Sequence, residues 1–145
     1  MKKRIDLSSV SSAVYKRIMA LDNSIQNSEL DKTHLELIKI RASQINGCAY
    51  CLNLHTRDAI NQVETTQRIF LLNAWRETDL FSEEERTILA MTEEITLISK
   101  NGLSQDTYEK AAQLFREEYI GLIMMAIITI NAWNRVAIST HKPLD

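Results

Sequence analysis

Asn46-Gly47-Cys48-Ala49-Tyr50-Cys51-Leu52-Asn53-Leu54-His55 packs a helix end, a turn and a helix start into one short stretch. Upstream, Leu35, Ile38, Ala42 and Ile45 recur at helical spacing behind Asp31, whose short side chain can accept hydrogen bonds from the free amides of a first helical turn. Gly47 ends that helix, because glycine enters the left-handed conformation without a Cβ penalty. Downstream, Cys48, Cys51, Leu52, His55 and Ala59 stand at offsets 0, 3, 4, 7 and 11, which is one face of a helix running from Cys48 to about Asn61. Two helices joined by so short a turn lie antiparallel, with the cysteine pair at the turn.

The same signals extend outward. Val10, Val14, Ile18, Leu21 and Ile25 predict an apolar stripe on a first helix from about Ser9 to Gln26. Thr65 or Thr66 caps a helix carrying Ile69, Phe70, Leu72 and Trp75. Ser82 followed by Glu85 is a capping box, opening a helix with Ile88, Leu89, Met91, Ile95 and Ile98 on its apolar side. Asn101-Gly102 closes it, Ser104 caps a shorter helix through Leu114, and a long apolar helix runs from about Glu117 to Ser139. The sum is an all-α bundle of about seven helices in one domain, residues 1–145.

Composition agrees. Three glycines and one proline in 145 residues leave little of the turn chemistry of an all-β fold, and 45% hydrophobic content suits a single compact core. A net charge of −2 lacks the basic excess of a nucleic-acid binder, and Lys2-Lys3-Arg4 reads as a solvated tail. Asp6, Ser8 and Ser9 follow that cluster in place of an apolar segment, so the expected compartment is a reducing cytoplasm and no secretory signal. The run Ile120 to Ile130 is too short to cross a bilayer and is followed by Asn131, Asn134 and Arg135. It reads as a buried helix, with no membrane partner.

Cys48 and Cys51 are the only cysteines. At a helix N-terminus the free amides and the positive end of the dipole favour thiolate over thiol at Cys48. One turn deeper, His55 stands next to Cys51 and can take its proton, so the primary nucleophile is assigned to Cys51. Attack on the distal oxygen of a hydroperoxide would give a sulfenic acid, which Cys48, nearer the helix end and more exposed, converts to a disulfide. An external dithiol must then restore both thiols. A histidine base works better with a carboxylate behind it, and Glu36 is the candidate: it lies about 16 Å back from the turn and His55 about 12 Å forward, at 1.5 Å per residue.

These residues carry a resemblance. Glu36, the run Arg41 to Cys51 and His55 resemble the core motif of the AhpD-like alkylhydroperoxidases of the carboxymuconolactone decarboxylase superfamily, and segments at Trp75-Arg76-Glu77, Thr87-Ile88-Leu89-Ala90 and Ile130 to Arg135 resemble later family segments. The resemblance implies an all-α AhpD-like helical bundle, homo-oligomers such as trimers or hexamers, and a thiol peroxidase acting on organic hydroperoxides with no metal, haem or other cofactor. It makes Cys51 the attacking sulfur, Cys48 its partner, and Glu36 and His55 the proton relay. The well-studied relatives carry a second histidine between the cysteines, where this chain has Tyr50, and they take electrons from a lipoyl-bearing partner. Lactone decarboxylation, the activity behind the superfamily name, does not use such a cysteine pair.

Two other uses of the motif are open to these residue types. The same fold can run the pair as a general disulfide oxidoreductase or redox sensor. Cys48, Cys51, His55 and Glu36 are also four ligands of the kind zinc takes, although three of them along one helix converge poorly. Elsewhere, Asn131 and Asn134 predict a buried hydrogen-bonded network, with Arg135 buried against Glu93 or Glu94. Trp75 and Trp133 read as packing or contact residues, and His34 and His141 as solvent-facing.

Overall fold

The computed structural model describes residues 2 and 4–144. Among them there is no strand, and the chain runs through nine α-helices and one 3₁₀-helix: α1 Leu7–Val10, α2 Ser12–Gln26, α3 Lys32–Asn46, α4 Ala49–Gln62, α5 Thr66–Leu71, the 3₁₀ segment Leu72–Glu77, α6 Glu83–Thr96, α7 Ile98–Asn101, α8 Gln105–Leu114 and α9 Glu117–Thr140. The excess over seven comes from breaks inside expected helices. Ser11 (φ −134°, ψ 41°) splits the first, Leu97 (φ −95°, ψ 39°) detaches one turn carrying Ile98, and the chain tightens to 3₁₀ at Leu72.

The helix ends follow their caps. Asp31 accepts from the amides of Thr33 and His34, Gly47 closes α3 at φ 68°, and Ser82 and Glu85 form the reciprocal capping box of α6. Ser104 accepts from the Thr107 amide at the start of α8.

Helix α3 is the axis of the domain. Its run Leu35 to Ile40 is buried on every side, including Glu36 and Lys39. One flank (Leu35, Ile38, Ala42) packs with Ile88 and Met91 of α6 and with Ile123, Ile127 and Ile130 of α9. The other flank (Leu37, Ile40) packs with Ala59, Leu72, Trp75 and Leu89. Truncating one of these leucines or isoleucines to alanine would cost about 2–5 kcal/mol. By length and composition α9 is apolar enough to cross a membrane; here it is a core helix that packs on α2, α3, α4, α6 and α8.

The first apolar stripe departs from expectation. Ile25 is buried and Leu21 packs against the core, but Val10 and Val14 are exposed: Val10 lies in α1, beyond the break at Ser11, and Val14 is in the first turn of α2, away from the end of that helix that joins the core. Phe70 is likewise 75% exposed.

Candidate active site

The turn after α3 places the cysteines. With Gly47 left-handed, the Cys48 amide returns to the Ser43 carbonyl (3.0 Å), and Cys48 becomes the N-cap of α4, its Sγ accepting the Cys51 amide at 3.2 Å. The two sulfurs are joined in a disulfide. Below the turn, the Asn46 amide donates to both Asn131 Oδ1 (2.9 Å) and Asn134 Oδ1 (2.8 Å), while Asn134 donates to Ser43 Oγ and Asn131 to Thr96 Oγ1. The buried asparagine network expected on α9 is therefore present, and it ties the end of α3 to α9 next to the cysteines.

Cys48 is 1% and Cys51 3% exposed. The expectation of a more exposed Cys48 is corrected: both cysteines are buried in one cluster with Ala137 of α9, and Tyr50 packs against it. Their environments still differ, because Cys51 lines a cavity of about 570 Å³ and Cys48 is not part of its wall. That wall is mostly apolar, formed by Met19 and Ile25 of α2, Leu35 of α3, and Ile130 and Trp133 of α9. Trp133, read from sequence as a packing residue, both stacks edge-on with Tyr15 and faces this space.

His55 lines the same cavity. Its Nδ1 lies 3.7 Å from Glu36 Oε2, and these two buried atoms have no hydrogen-bond partner. The helix hairpin thus brings the two to one height, with the direct hydrogen bond left open. Burial, reinforced by the charge of Lys39, pushes the His55 pKa down to about 3, so the ring is neutral at ordinary pH. Burial pushes the Glu36 carboxyl up, and Lys39 offsets only part of that.

Lys39 is the residue that sequence reasoning passed over. It is 4% exposed, lines the cavity with Cys51 and His55, and its Nζ lies 3.4 Å from Glu36 Oε1. The signal was its position three residues after Glu36, inside a run that is otherwise apolar. Tyr50, which replaces the relatives' second histidine, also lines the cavity, and its ring lies 4.2 Å from Lys142 Nζ of the C-terminal segment.

Arg135 is a second correction. It is exposed on the outer side of α9 and donates to the backbone and side-chain oxygens of Asn131. The glutamates expected to hold it are taken: Glu93 by Arg41, Arg76 and Trp75, and Glu94 by Ser104 and Thr107. His34 is not solvent-facing either, since its Nδ1 meets the Tyr119 hydroxyl at 2.8 Å and its ring lies edge-on to Phe115. His141 is half-buried at the left-handed C-cap of α9. Among the described residues, no three of His, Cys, Asp and Glu form a group that could hold a metal ion.

Residues 12–94, from α2 into α6, match the carboxymuconolactone decarboxylase family. An uncharacterized protein of Bacillus subtilis (strain 168), YdfG, is 39% identical over 140 residues, covering 96% of this chain and 95% of its own length. Among solved structures, a protein of unknown function from Agrobacterium tumefaciens, described as a candidate AhpD antioxidant-defence protein, superposes with a TM-score of 0.95 at 36% identity over 99% of both chains. An uncharacterized peroxidase-related protein from Silicibacter sp. TM1040 superposes with a TM-score of 0.78 at 25% identity, over 90% of this chain and 69% of its own. With the motif, the all-α fold and these likenesses in agreement, the chain is an AhpD-like member of the carboxymuconolactone decarboxylase family.

Proposed function

We propose that the protein is a thiol-dependent peroxidase that reduces organic hydroperoxides. The observation that carries this reading is the asymmetry of the disulfide: Cys51 alone of the two cysteines opens on the apolar cavity, and His55 and Glu36 stand along the same wall or directly behind it. In the reduced protein, neutral His55 takes the Cys51 proton at Nε2 and passes its Nδ1 proton toward Glu36. A ring with so low a pKa relays a proton and does not store one. The Cys51 thiolate attacks the distal oxygen of ROOH, the O–O bond breaks, and RO⁻ leaves and collects a proton as ROH. Cys48 then attacks the Cys51 sulfenic acid, releasing water and closing the disulfide. Two electrons have moved from the dithiol to the peroxide, and an external dithiol returns them.

A cavity of about 570 Å³ falls within the range of sites for drug-sized ligands. Its apolar wall favours a hydroperoxide with a hydrocarbon body over hydrogen peroxide. Val10, Val14 and Met19 are exposed, and apolar side chains on this side of the molecule are compatible with assembly as a trimer or hexamer, which the resemblance implies. A cytoplasmic location fits a dithiol that must be kept reduced.

The test is a single turnover. Reduced protein is mixed with one equivalent of cumene hydroperoxide while free thiols and cumyl alcohol are counted; both thiols should disappear as one alcohol forms. Cys51→Ser should abolish the reaction, and Cys48→Ser should stop at a sulfenic acid that dimedone traps. Full turnover by Cys51→Ser would overturn the assignment. Rapid disulfide exchange with no peroxide consumption would favour a disulfide oxidoreductase, for which the Cys51 amide on Cys48 Sγ is a suitable stabiliser of the leaving thiolate.

A further inference from the structure

Lys39 has no part in the relay described above, yet it places a full charge inside an apolar wall. A buried ammonium with a single carboxylate partner at 3.4 Å is costly to keep, since removing either partner would leave the other uncompensated. Its carboxylate is engaged through one oxygen only. The second oxygen of Glu36 faces the imidazole. When a proton travels from Cys51 through His55 to Glu36, the carboxylate loses its charge and a new anion appears on Cys51 Sγ. Lys39 lines the same cavity as that sulfur. We infer that Lys39 is the counter-ion of the Cys51 thiolate, exchanging Glu36 for the sulfur as the proton crosses the site. The number of buried charges is then unchanged by ionising the thiol: one cation and one anion before the transfer, one cation and one anion after. No electron moves in this step, and the only bond changes are S–H to N–H and N–H to O–H.

The other charged or titratable groups around this point do not replace Lys39. Helix α2 contributes Asp22 and Tyr15 to the cavity wall, α4 contributes Tyr50 and His55, and Asp58 acts on Glu36 from the same helix. The part of α9 that lines the cavity carries no titratable side chain. Lys142, beyond the end of α9, also lines the cavity, with its Nζ 4.2 Å from the centre of the Tyr50 ring. Lys39 is thus the one cation in the wall that also holds the relay carboxylate.

The inference rests on Cys51 as the attacking sulfur, and Lys39 is a positioning residue within that reading. Its test uses the full chain in a Cys48→Ser background, so that one thiol titrates, and follows the rate of iodoacetamide alkylation against pH. Lys39→Met should raise the midpoint by about 1–3 pH units, the effect of losing an opposite charge a few ångströms away. Lys39→Arg, which keeps the charge, should stay near the parent. If Lys39→Met does not fold because Glu36 is stranded, the comparison is made in a Glu36→Gln background, where adding Lys39→Met should again raise the midpoint above that of Glu36→Gln alone. Equal midpoints with and without the cation would overturn the inference, as would Lys39→Arg titrating with the methionine variant. Alkylation needs no peroxide, so failure of the peroxidase reading and failure of this inference are separately visible.

Discussion

Glu36 and Glu93 sit on facing helices, α3 and α6, with side chains only 9% and 14% exposed, and they are treated in opposite ways. Around Glu93 the polar valences are filled: the Trp75 indole donates at 2.8 Å, the Arg41 Nε at 2.9 Å, and Arg76 approaches the second oxygen. Burial alone would raise the Glu93 pKa, but the hydrogen bonds from Trp75 and Arg76 and the charge of Arg41 outweigh it and hold the carboxylate below the usual range. Around Glu36 burial wins over the one contact with Lys39, and the second oxygen is unpaired, 3.7 Å from an equally unpaired imidazole nitrogen. A saturated carboxylate is fixed as an anion and serves the scaffold. An unsaturated one is free to change its proton, and Glu36 stands behind the wall of the cavity that Cys51 and His55 line.

The comparison is sharpest in activity. Glu36→Gln keeps the shape but cannot accept the relayed proton as a carboxylate does, so peroxide turnover should fall by about 10²–10⁴-fold, the usual range for a lost acid–base group. Steady-state consumption of cumene hydroperoxide, with circular dichroism as the check on folding, measures it. Undiminished turnover would put Glu36 in the same class as Glu93.

Glu93→Gln should do the reverse. Losing the charge that faces Arg41 and Arg76 weakens charge-assisted bonds in a mostly desolvated place, at a cost of about 2–4 kcal/mol. Urea unfolding should show a lower midpoint at an unchanged slope, while the folded fraction turns over peroxide as before. A large activity loss without a stability loss would break the division between scaffold and site.

How much of this division was legible beforehand depended on how local its causes are. Asp31, Gly47, Ser82 and Ser104 act on amides within a few residues, so the helix ends around the site were readable. The approach of Glu36 to His55 was readable because a tight helical hairpin fixes heights by counting residues, and the atoms lie 3.7 Å apart. Lys39 was not, because burying an ammonium requires α2 and α9 to close over α3, and one helix cannot declare that. Arg135 was misassigned for the same reason: its expected partners were claimed by Arg41, Arg76, Ser104 and Thr107 from other elements. Val10 and Val14 showed the period of a helix, but period alone does not say whether a neighbour reaches that face.

The finest test of the comparison is acid stability, where the site should show a liability the scaffold lacks. His55 titrates near 6.5 when unfolded and is pushed down to about 3 in the fold. Between those values the unfolded chain binds a proton that the folded one refuses, so stability is full above the unfolded pKa and is lost as pH falls toward the folded one. One such proton corresponds to about 1.4 kcal/mol per pH unit, or about 2 kcal/mol from pH 6.5 to 5. Glu36, whose pKa is raised in the fold, acts in the opposite sense: its penalty grows as pH rises from the unfolded value through the folded one. That contribution is retained when His55 is replaced. Urea titrations at several pH values should therefore show His55→Gln losing stability less steeply than the parent across this window. Parallel curves would mean that the imidazole accepts its proton in the folded state as easily as in water, and the contrast between an open and a closed carboxylate would lose its electrostatic basis.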